Sequence, residues 1–265
     1  MATILTLSSQ VIKGHVGNSA SVFILQRLGH TVWPFHTTYF SNHPGYPYFD
    51  GEHIPISLLQ KTFDVFIKSS ALKNVDAILS GYLPTVEHVN FARHIFEEVK
   101  AANPKAYILC DPTMGDDPKG LYIDRHAAES VKQLIPLADL ITPNRFELEW
   151  LSESPVHSYD DVVHACDLLP IKTVLSTSSP AKTPYKIDNH LREGSRSWVA
   201  SLERKDSIPH GTGDCFAALF LGFLLHTHDQ TKALIQATEG IAHILKASSG
   251  RDELDVIGTQ GQWAC

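Results

Sequence analysis

Short apolar runs with the length of buried strands alternate with helical patterns along most of the chain. Several runs, among them residues 76–82 and 106–112, end in a small or polar residue instead of a hairpin turn. This alternation is typical of βαβ units, in which a helix connects two parallel strands. We therefore predict an α/β fold with a mainly parallel central sheet that is flanked by helices.

The boundaries of the elements follow from apolar spacing and from turn residues. One helix is predicted to begin at Asn18, with that residue as its cap, and an unbroken helix is predicted over 125–138. Residues 38–53 form either a long aromatic binding loop or an edge hairpin. Strands are predicted at 3–7, 31–37, 76–82, 106–112, 139–144 and 172–179, weak antiparallel edge strands at 184–188 and 195–203, and a last short strand within 253–258.

Composition limits the classes of protein that fit this chain. Its 265 residues are 43% hydrophobic, which is enough for one buried core, and we predict a single domain over 1–265. Acidic residues number 29 against 22 basic ones, and no Lys/Arg block occurs, so a nucleic-acid partner is disfavoured. No apolar stretch approaches the roughly 20 residues that span a bilayer, and the N-terminus has no basic leader. We expect a cytoplasmic protein without a membrane partner.

The cysteines indicate neither a zinc site nor a disulfide framework. Cys110, Cys166, Cys215 and Cys265 lie far apart in the sequence and form no C-x-x-C pair. Without a secretory signal, reduced thiols are the simplest interpretation.

Polar residues follow several of the predicted strands. Ligands of open parallel sheets bind outside the carboxyl ends of the strands, so these residues are candidates for a binding site. They are Ser9, Ser80, Gly81, Tyr82, Asp111, Thr142, Asn144, Thr177, Ser178 and Ser179.

A glycine turn precedes the most apolar helix of the chain. Gly211, Thr212 and Gly213 can offer backbone N–H groups at a helix start, where the helix dipole also favours an anion such as phosphate. Asp214 follows directly and could accept the proton of an attacking hydroxyl. It could equally be a helix cap, and these four residues alone leave both interpretations open.

Two further acids could hold magnesium, directly or through water, since this cation prefers carboxylates. They are Asp111 and Glu147. Each also has a structural interpretation: Asp111 precedes Pro112 in a possible turn, and Asn144 with Glu147 fits a capping box. Their position beside other polar strand ends favours the catalytic interpretation.

Six segments together resemble the pyridoxal kinases of the ribokinase-like superfamily: residues 8–20, 40–46, 80–82, 110–116, 137–152 and 211–214. The resemblance implies a three-layer fold without a separate lid domain. It also implies ATP-dependent phosphorylation of the hydroxymethyl group of pyridoxal, pyridoxine or pyridoxamine, with Mg²⁺ and a monovalent cation such as K⁺. It further implies a cytoplasmic homodimer.

The resemblance also implies roles for individual residues. Asp214 matches the catalytic base, and Gly211, Thr212 and Gly213 match the anion hole. The ATP and metal side is matched by Asp111, Thr142, Asn144, Glu147, Thr177 and Ser178, with Thr212 and Gly213 contributing to ATP as well. The substrate side, which includes Asp214, is matched by Ser9, Val16, Phe40, His43, Pro44, Gly45, Tyr82 and Tyr122.

Two departures from the family pattern concern the substrate side. The family often has His where this chain has Gln10, and Thr where it has Pro44, which supplies neither a hydroxyl nor an N–H. Hydroxymethylpyrimidine kinase of the same superfamily is the alternative activity, although those enzymes typically have Cys at the position of Asp214. A non-catalytic pyridoxal phosphate reservoir is a further alternative, which the retained acids disfavour.

Overall fold

The computed structural model of the chain describes residues 1–183, 185–205 and 208–264. In this part of the chain, nine strands form one sheet and two short strands form a separate hairpin. In chain order the strands are β1 (Thr3–Val11), β2 (Thr31–Phe40), β3 (Gly51–His53), β4 (Ala77–Ser80), β5 (Tyr107–Cys110), β6 (Gly115–Asp116), β7 (Gly120–Leu121), β8 (Leu140–Ile141), β9 (Thr173–Pro180), β10 (Lys186–Glu193) and β11 (Arg196–Glu203).

The sheet has the strand order β11-β10-β9-β8-β5-β4-β1-β2-β3. Neighbours from β9 through to β2 are parallel, whereas β3 at one edge and β10 and β11 at the other are antiparallel. The predicted α/β fold with a mainly parallel sheet is confirmed. Residues 38–53 do contain an edge hairpin, in which Thr38–Phe40 pair with Gly51–His53.

Helices cover both faces of the sheet. They are α1 (Asn18–Arg27), α2 (Ile56–Lys68), α3 (Val86–Ala102), α4 (Arg125–Val131), α5 (Arg145–Ser152), α6 (Tyr159–Leu168), α7 (Thr212–Thr227), α8 (Gln230–Ala247) and α9 (Gln260–Trp263). Successive side chains of a strand point to opposite faces. Leu5 and Leu7 of β1 accordingly pack with α2 to α6, while Ile4 packs with α1, α7 and α8. The result is three layers.

Three predicted boundaries are wrong. The helix over 125–138 ends as an α-helix at Val131 and continues as a 3₁₀ helix, because Pro136 lacks an N–H and its ring would clash with the carbonyl four residues earlier. Residues 253–258 form no strand; Leu254 and Val256 alternate like strand residues but pack against helices. Asn18 is not a cap, since its amide donates to Ser8 O (3.2 Å) and Phe35 O (2.9 Å).

The described cysteines are buried and free; these are Cys110, Cys166 and Cys215. Cys265, together with Pro184 of the predicted 184–188 strand, lies outside the described residues. Over the described ranges, no helix is both long and apolar enough to cross a membrane.

His190 on β10 makes the stability of the fold depend on pH. Its side chain is 1% exposed, stacks on Tyr159 at a centroid distance of 5.0 Å, and places Nε2 3.1 Å from Ser197 Oγ. Burial, followed by the positive charge of Arg192, lowers the pKa of His190 to about 4.

We expect His190→Gln to lose less thermal stability than the parent protein on acidification. Between the ordinary histidine pKa of 6.5 and about pH 4, the unfolded chain binds a proton that the folded chain does not. The free energy of unfolding therefore decreases as the pH is lowered through this range. The slopes of the unfolding free energy against pH should differ between the parent and His190→Gln by about 1 kcal/mol per pH unit, measured by thermal unfolding between about pH 7 and pH 5. His243→Gln, which changes an exposed residue of α8, should follow the parent. Equal slopes in all three proteins would contradict the assignment.

Candidate active site

The carboxyl ends of the parallel strands open into a single cavity of about 1130 Å³. Every residue to which the resemblance assigns a role lies on its wall: Ser9, Val16, Phe40, His43, Pro44, Gly45, Tyr82, Asp111, Tyr122, Thr142, Asn144, Glu147, Thr177, Ser178, Gly211, Thr212, Gly213 and Asp214. These residues come from eight separate stretches of the sequence. The parallel sheet is what brings them together. Of the other strand-end candidates, Ser179 also lines the cavity, whereas Ser80 and Gly81 are buried and lie outside its described wall.

The start of α7 lies on this wall without a side-chain cap. Side chains cap α3, α4, α5, α6 and α8, whereas the N-cap of α7 is Gly211, which makes no such bond. Gly211 has a φ of +92°, and a Cβ there would lie 1.8 Å from His15 O, so only glycine fits. The N–H groups of this first turn therefore have no side-chain acceptor and are available to an anion.

Asp214 is the third residue of α7 and therefore not its N-cap. The N–H of Gly17, at the start of α1, donates to its carboxylate and favours the charged form. Burial outweighs that bond and raises the pKa of Asp214 to about 6. Near neutral pH the carboxylate is thus ionised, but it is basic enough to accept a proton.

Glu147 combines a structural and an electrostatic role. Its Oε1 accepts from Met114 N (2.8 Å) and its Oε2 from Asn144 N (2.9 Å), while Asn144 Oδ1 accepts from Glu147 N (2.9 Å). The capping-box interpretation is therefore correct. Glu147 is also only 2% exposed, and this burial raises the pKa of its carboxyl to about 7.

Asp111 directly follows β5 and is 8% exposed. Burial raises the pKa of its carboxyl well above the usual value, and the charges of Glu147 and Asp214 raise it further. Three acids, Asp111, Glu147 and Asp214, thus line the same cavity. In the described part of the chain, no group of three or more His, Cys, Asp or Glu side chains could hold a metal by itself. A metal at this place would need oxygen atoms from a ligand as well.

One polar side chain near the acids has unused bonding capacity. The Thr142 hydroxyl is buried and has no hydrogen-bond partner among the described residues, and Thr142 lines the cavity. Buried hydroxyls are normally hydrogen-bonded, so this one is suited to a polar ligand.

The substrate-side candidates surround a more apolar end of the cavity. Val16 and Phe40 form a small buried cluster with Val11. The rings of Tyr82 and Tyr122 stack at a centroid distance of 6.4 Å. Such walls suit a flat heterocycle better than a sugar.

The sequence reasoning missed several lining residues. One group lies on the β6–β7 hairpin, where Asp117 accepts from Arg145 Nη2 (2.6 Å); strands of two residues carry no periodic signal, although the D-D-P-K-G composition indicates a turn. A second group is apolar: Ile187, Leu202, Phe216, Ile241 and Leu245. His210, just before the glycine turn, was also missed.

Comparison with known proteins gives the family. A family model described as phosphomethylpyrimidine kinase matches residues 49–256. The curated pyridoxal kinase PdxY of Corynebacterium diphtheriae is 34% identical over 267 residues, covering 98% of this chain and 94% of that protein. The corresponding protein of Deinococcus radiodurans is 33% identical, with coverages of 98% and 92%. This chain belongs to the pyridoxal kinase family.

Solved pyridoxal kinases share the fold of the whole chain. The enzyme of Leishmania donovani, in complex with ADP and pyridoxamine, has a TM-score of 0.93 at 28% identity, covering 98% of this chain and 95% of that one. The enzyme of Entamoeba histolytica has a TM-score of 0.92 at 27% identity, with coverages of 99% and 95%. The predicted resemblance to pyridoxal kinases, and with it the ribokinase-like fold, is confirmed.

The glycine turn of this pyridoxal kinase allows a clean test of the anion site. Gly213 has an ordinary φ, and a Cβ there meets nothing within 4 Å. We expect Gly213→Val to fold normally but to fill space beside the free N–H groups, lowering kcat/KM for ATP at least about 100-fold. Gly261→Val on α9, whose Cβ is equally unobstructed, is the matched control and should keep its turnover. A folded Gly213→Val protein with normal ATP kinetics would move the anion site elsewhere.

Proposed function

We propose that this member of the pyridoxal kinase family transfers the γ-phosphoryl group of ATP to the hydroxymethyl oxygen of pyridoxal, and also of pyridoxine and pyridoxamine. One observation carries the proposal: the half-buried carboxyl of Asp214 follows an uncapped helix start on the wall of a cavity of about 1130 Å³. The pyridoxal kinase of Leishmania donovani has been solved with ADP and either pyridoxine or pyridoxamine, which supports both substrate classes.

In the proposed reaction, Asp214 is the general base. Its carboxylate accepts the hydroxymethyl proton as that oxygen forms a bond to the γ-phosphorus, and the bond from this phosphorus to the bridging oxygen of ADP breaks. The N–H groups of Gly211, Thr212 and Gly213 stabilise the charge on the transferring group. The Gly17 N–H keeps the base oriented.

Asp111 and Glu147 fit the hard cation Mg²⁺, because carboxylate oxygens and nearby hydroxyls form the donor set at this place. Both carboxylate oxygens of Glu147 already accept backbone N–H groups. Asp111 is therefore the more available ligand, and Glu147 contributes negative charge nearby without binding the metal directly. Mg²⁺ would supply charge neutralisation for the phosphates of ATP. A monovalent cation such as K⁺ is the second cation that the resemblance implies.

The ATP side includes Thr142, Asn144, Thr177 and Ser178, which line the same cavity as the acids. The vitamin side includes Ser9, toward the pyridine ring, and the aromatic and apolar walls around it. Pro44 lines this side without an N–H to donate, so the threonine contact frequent in the family has no equivalent at this position.

The alternative activity is hydroxymethylpyrimidine kinase, which the name of the family model also suggests. The curated relatives over nearly the whole chain are pyridoxal kinases, and the aspartate at position 214 favours the same activity. Incubating the protein with ATP, Mg²⁺ and each heterocycle, and identifying the phosphorylated product by mass, tests the choice. Product from hydroxymethylpyrimidine but none from pyridoxal would overturn the proposal.

The proposed assembly is a cytoplasmic homodimer without nucleic-acid or membrane partners. In its support, apolar side chains of segments that adjoin Phe40 are exposed: Ile12 (69%) and Phe49 (49%). Ile12 N donates to Phe40 O (2.9 Å), and the Phe49 ring contacts that of Phe40 with 5.8 Å between centroids; exposed apolar side chains on adjoining segments favour an interaction surface. Sedimentation that gives the mass of a monomer at micromolar concentration would contradict the dimer.

The base assignment predicts a large kinetic effect without a stability effect. Asp214→Asn keeps an oxygen acceptor for the Gly17 N–H but cannot take a proton, so we expect kcat to fall by about 10²–10⁴. Thermal unfolding should stay within a degree or two of the parent, as no cap is lost.

Asp229→Asn is the matched control, since Asp229 is the true N-cap of α8, accepting from Thr231 N (2.9 Å) and Lys232 N (3.1 Å). Asparagine caps about as well as aspartate, so both activity and stability should be kept. A folded Asp214→Asn protein with the parent rate would remove Asp214 from the role of base.

A further inference from the structure

His210 contacts the loop that covers the substrate side of the cavity. Its ring stacks on that of His43, with centroids 3.8 Å apart and an angle of 18° between the planes. His43 belongs to the connection between β2 and β3, residues 41–50, which we call the vitamin loop. His210 directly precedes the N-cap glycine of α7. The stack therefore joins the vitamin loop to the phosphate turn.

Gly45 makes this contact tight and sets the tautomer of His43. Its N–H donates to His43 Nδ1 at 2.9 Å, so a neutral His43 carries its proton on Nε2. A Cβ on Gly45 would lie 2.7 Å from His210 Nε2 and 2.8 Å from His43 Nδ1. Only glycine allows both rings to approach the loop backbone this closely.

Burial and nearby positive charge favour the uncharged form of both stacked rings. Burial lowers the pKa of His43 to about 4, and repulsion from His210 and Lys119 adds to this. Burial also lowers the pKa of His210, and the positive charge of Lys119 outweighs the opposing effect of Asp116. Two neutral imidazoles can stack face to face, whereas two charged ones would repel each other.

Other contacts hold the backbone of the vitamin loop and its outer part. His43 O accepts from Tyr46 N (3.1 Å) and from Asn42 Nδ2 (3.1 Å), which fixes the backbone but not the ring. The Tyr46 hydroxyl donates to Asp252 O (2.9 Å), and the Lys13 ammonium lies 5.0 Å from the centre of the Tyr46 ring. These bonds lie on the side of the C-terminal segment. They leave the orientation of the His43 ring to Gly45 and to the stack with His210.

We propose that His210 is a positioning residue for the vitamin substrate: its ring holds His43 in a fixed plane on the cavity wall and so keeps the vitamin loop in register with the phosphate turn. The proposal rests on the proposed function in one respect, namely that the substrate beside His43 is a vitamin B6 compound. His210 is not a catalytic residue, because the N–H groups and the base lie on α7 after it.

The test is a comparison of His210→Ala, His210→Phe and the parent enzyme. Loss of one aromatic contact should raise KM for pyridoxal about two- to tenfold, with kcat and KM for ATP within about twofold of the parent. Phenylalanine restores a stacking ring and should return KM for pyridoxal to within about twofold of the parent. If His210 only filled space, His210→Leu, which supplies volume without a ring, would restore KM for pyridoxal as well as His210→Phe does.

The matched control is His226→Ala. His226 is the partner in another pair of histidine rings, with His30 at 4.5 Å, and it lies at the opposite end of α7. It lines no part of the cavity among the described residues, so its loss should leave KM for pyridoxal unchanged.

Hydrogen exchange supplies a readout that does not require turnover. The Gly45 amide should exchange faster in His210→Ala and His210→Leu than in the parent or in His210→Phe, because its acceptor ring loses support. Unchanged KM for pyridoxal together with unchanged Gly45 exchange would overturn the proposal, as would a change in KM for ATP alone. Parent enzyme that does not phosphorylate pyridoxal would instead overturn the proposed function, and the exchange comparison would still decide the role of His210.

Discussion

Parallel pairing in register is the constraint on which the site depends. Ser80 pairs with Cys110, and Cys110 pairs with Ile141, so the next residues along each strand, among them Asp111 and Thr142, lie side by side at one edge. A slip of one residue in a strand would turn its side chains to the opposite face. The position of Asp111 in the cavity therefore follows from the apolar side chains that fix the register several residues earlier.

Helix starts then determine how the acids behave at that edge. Glu147 lies in the first turn of α5 and Asp214 in the first turn of α7, where unsatisfied N–H groups and the helix dipole favour a negative charge. Burial acts in the opposite direction and raises the pKa of Glu147 to about 7 and that of Asp214 to about 6. The balance leaves the pKa values of both carboxyls near neutral pH. Their protonation is therefore sensitive to the charge of a bound ligand.

The candidate site could be predicted largely because its residues occur at recognisable places: strand ends and one glycine turn. His210 had no such signal, because its contact with His43 joins residues that are 167 positions apart. The β6–β7 hairpin was also missed, since each strand has two residues. The predicted strand within 253–258 failed for a related reason: alternation shows that Leu254 and Val256 are buried, but not whether a strand or a helix covers them.

The sequence by itself determined the α/β architecture, the family and a set of residues that all line the cavity, because strand and helix periodicity, turn chemistry and short motifs are local properties of a chain. Only the tertiary structure excluded the cap interpretation of Asp214, since the N-cap position belongs to Gly211 and the carboxylate accepts the N–H of Gly17 at the start of a distant helix. It likewise decided that Glu147 is both a capping residue and a buried charge. Burial and long-range contacts set these roles, and neither can be read from spacing along the chain.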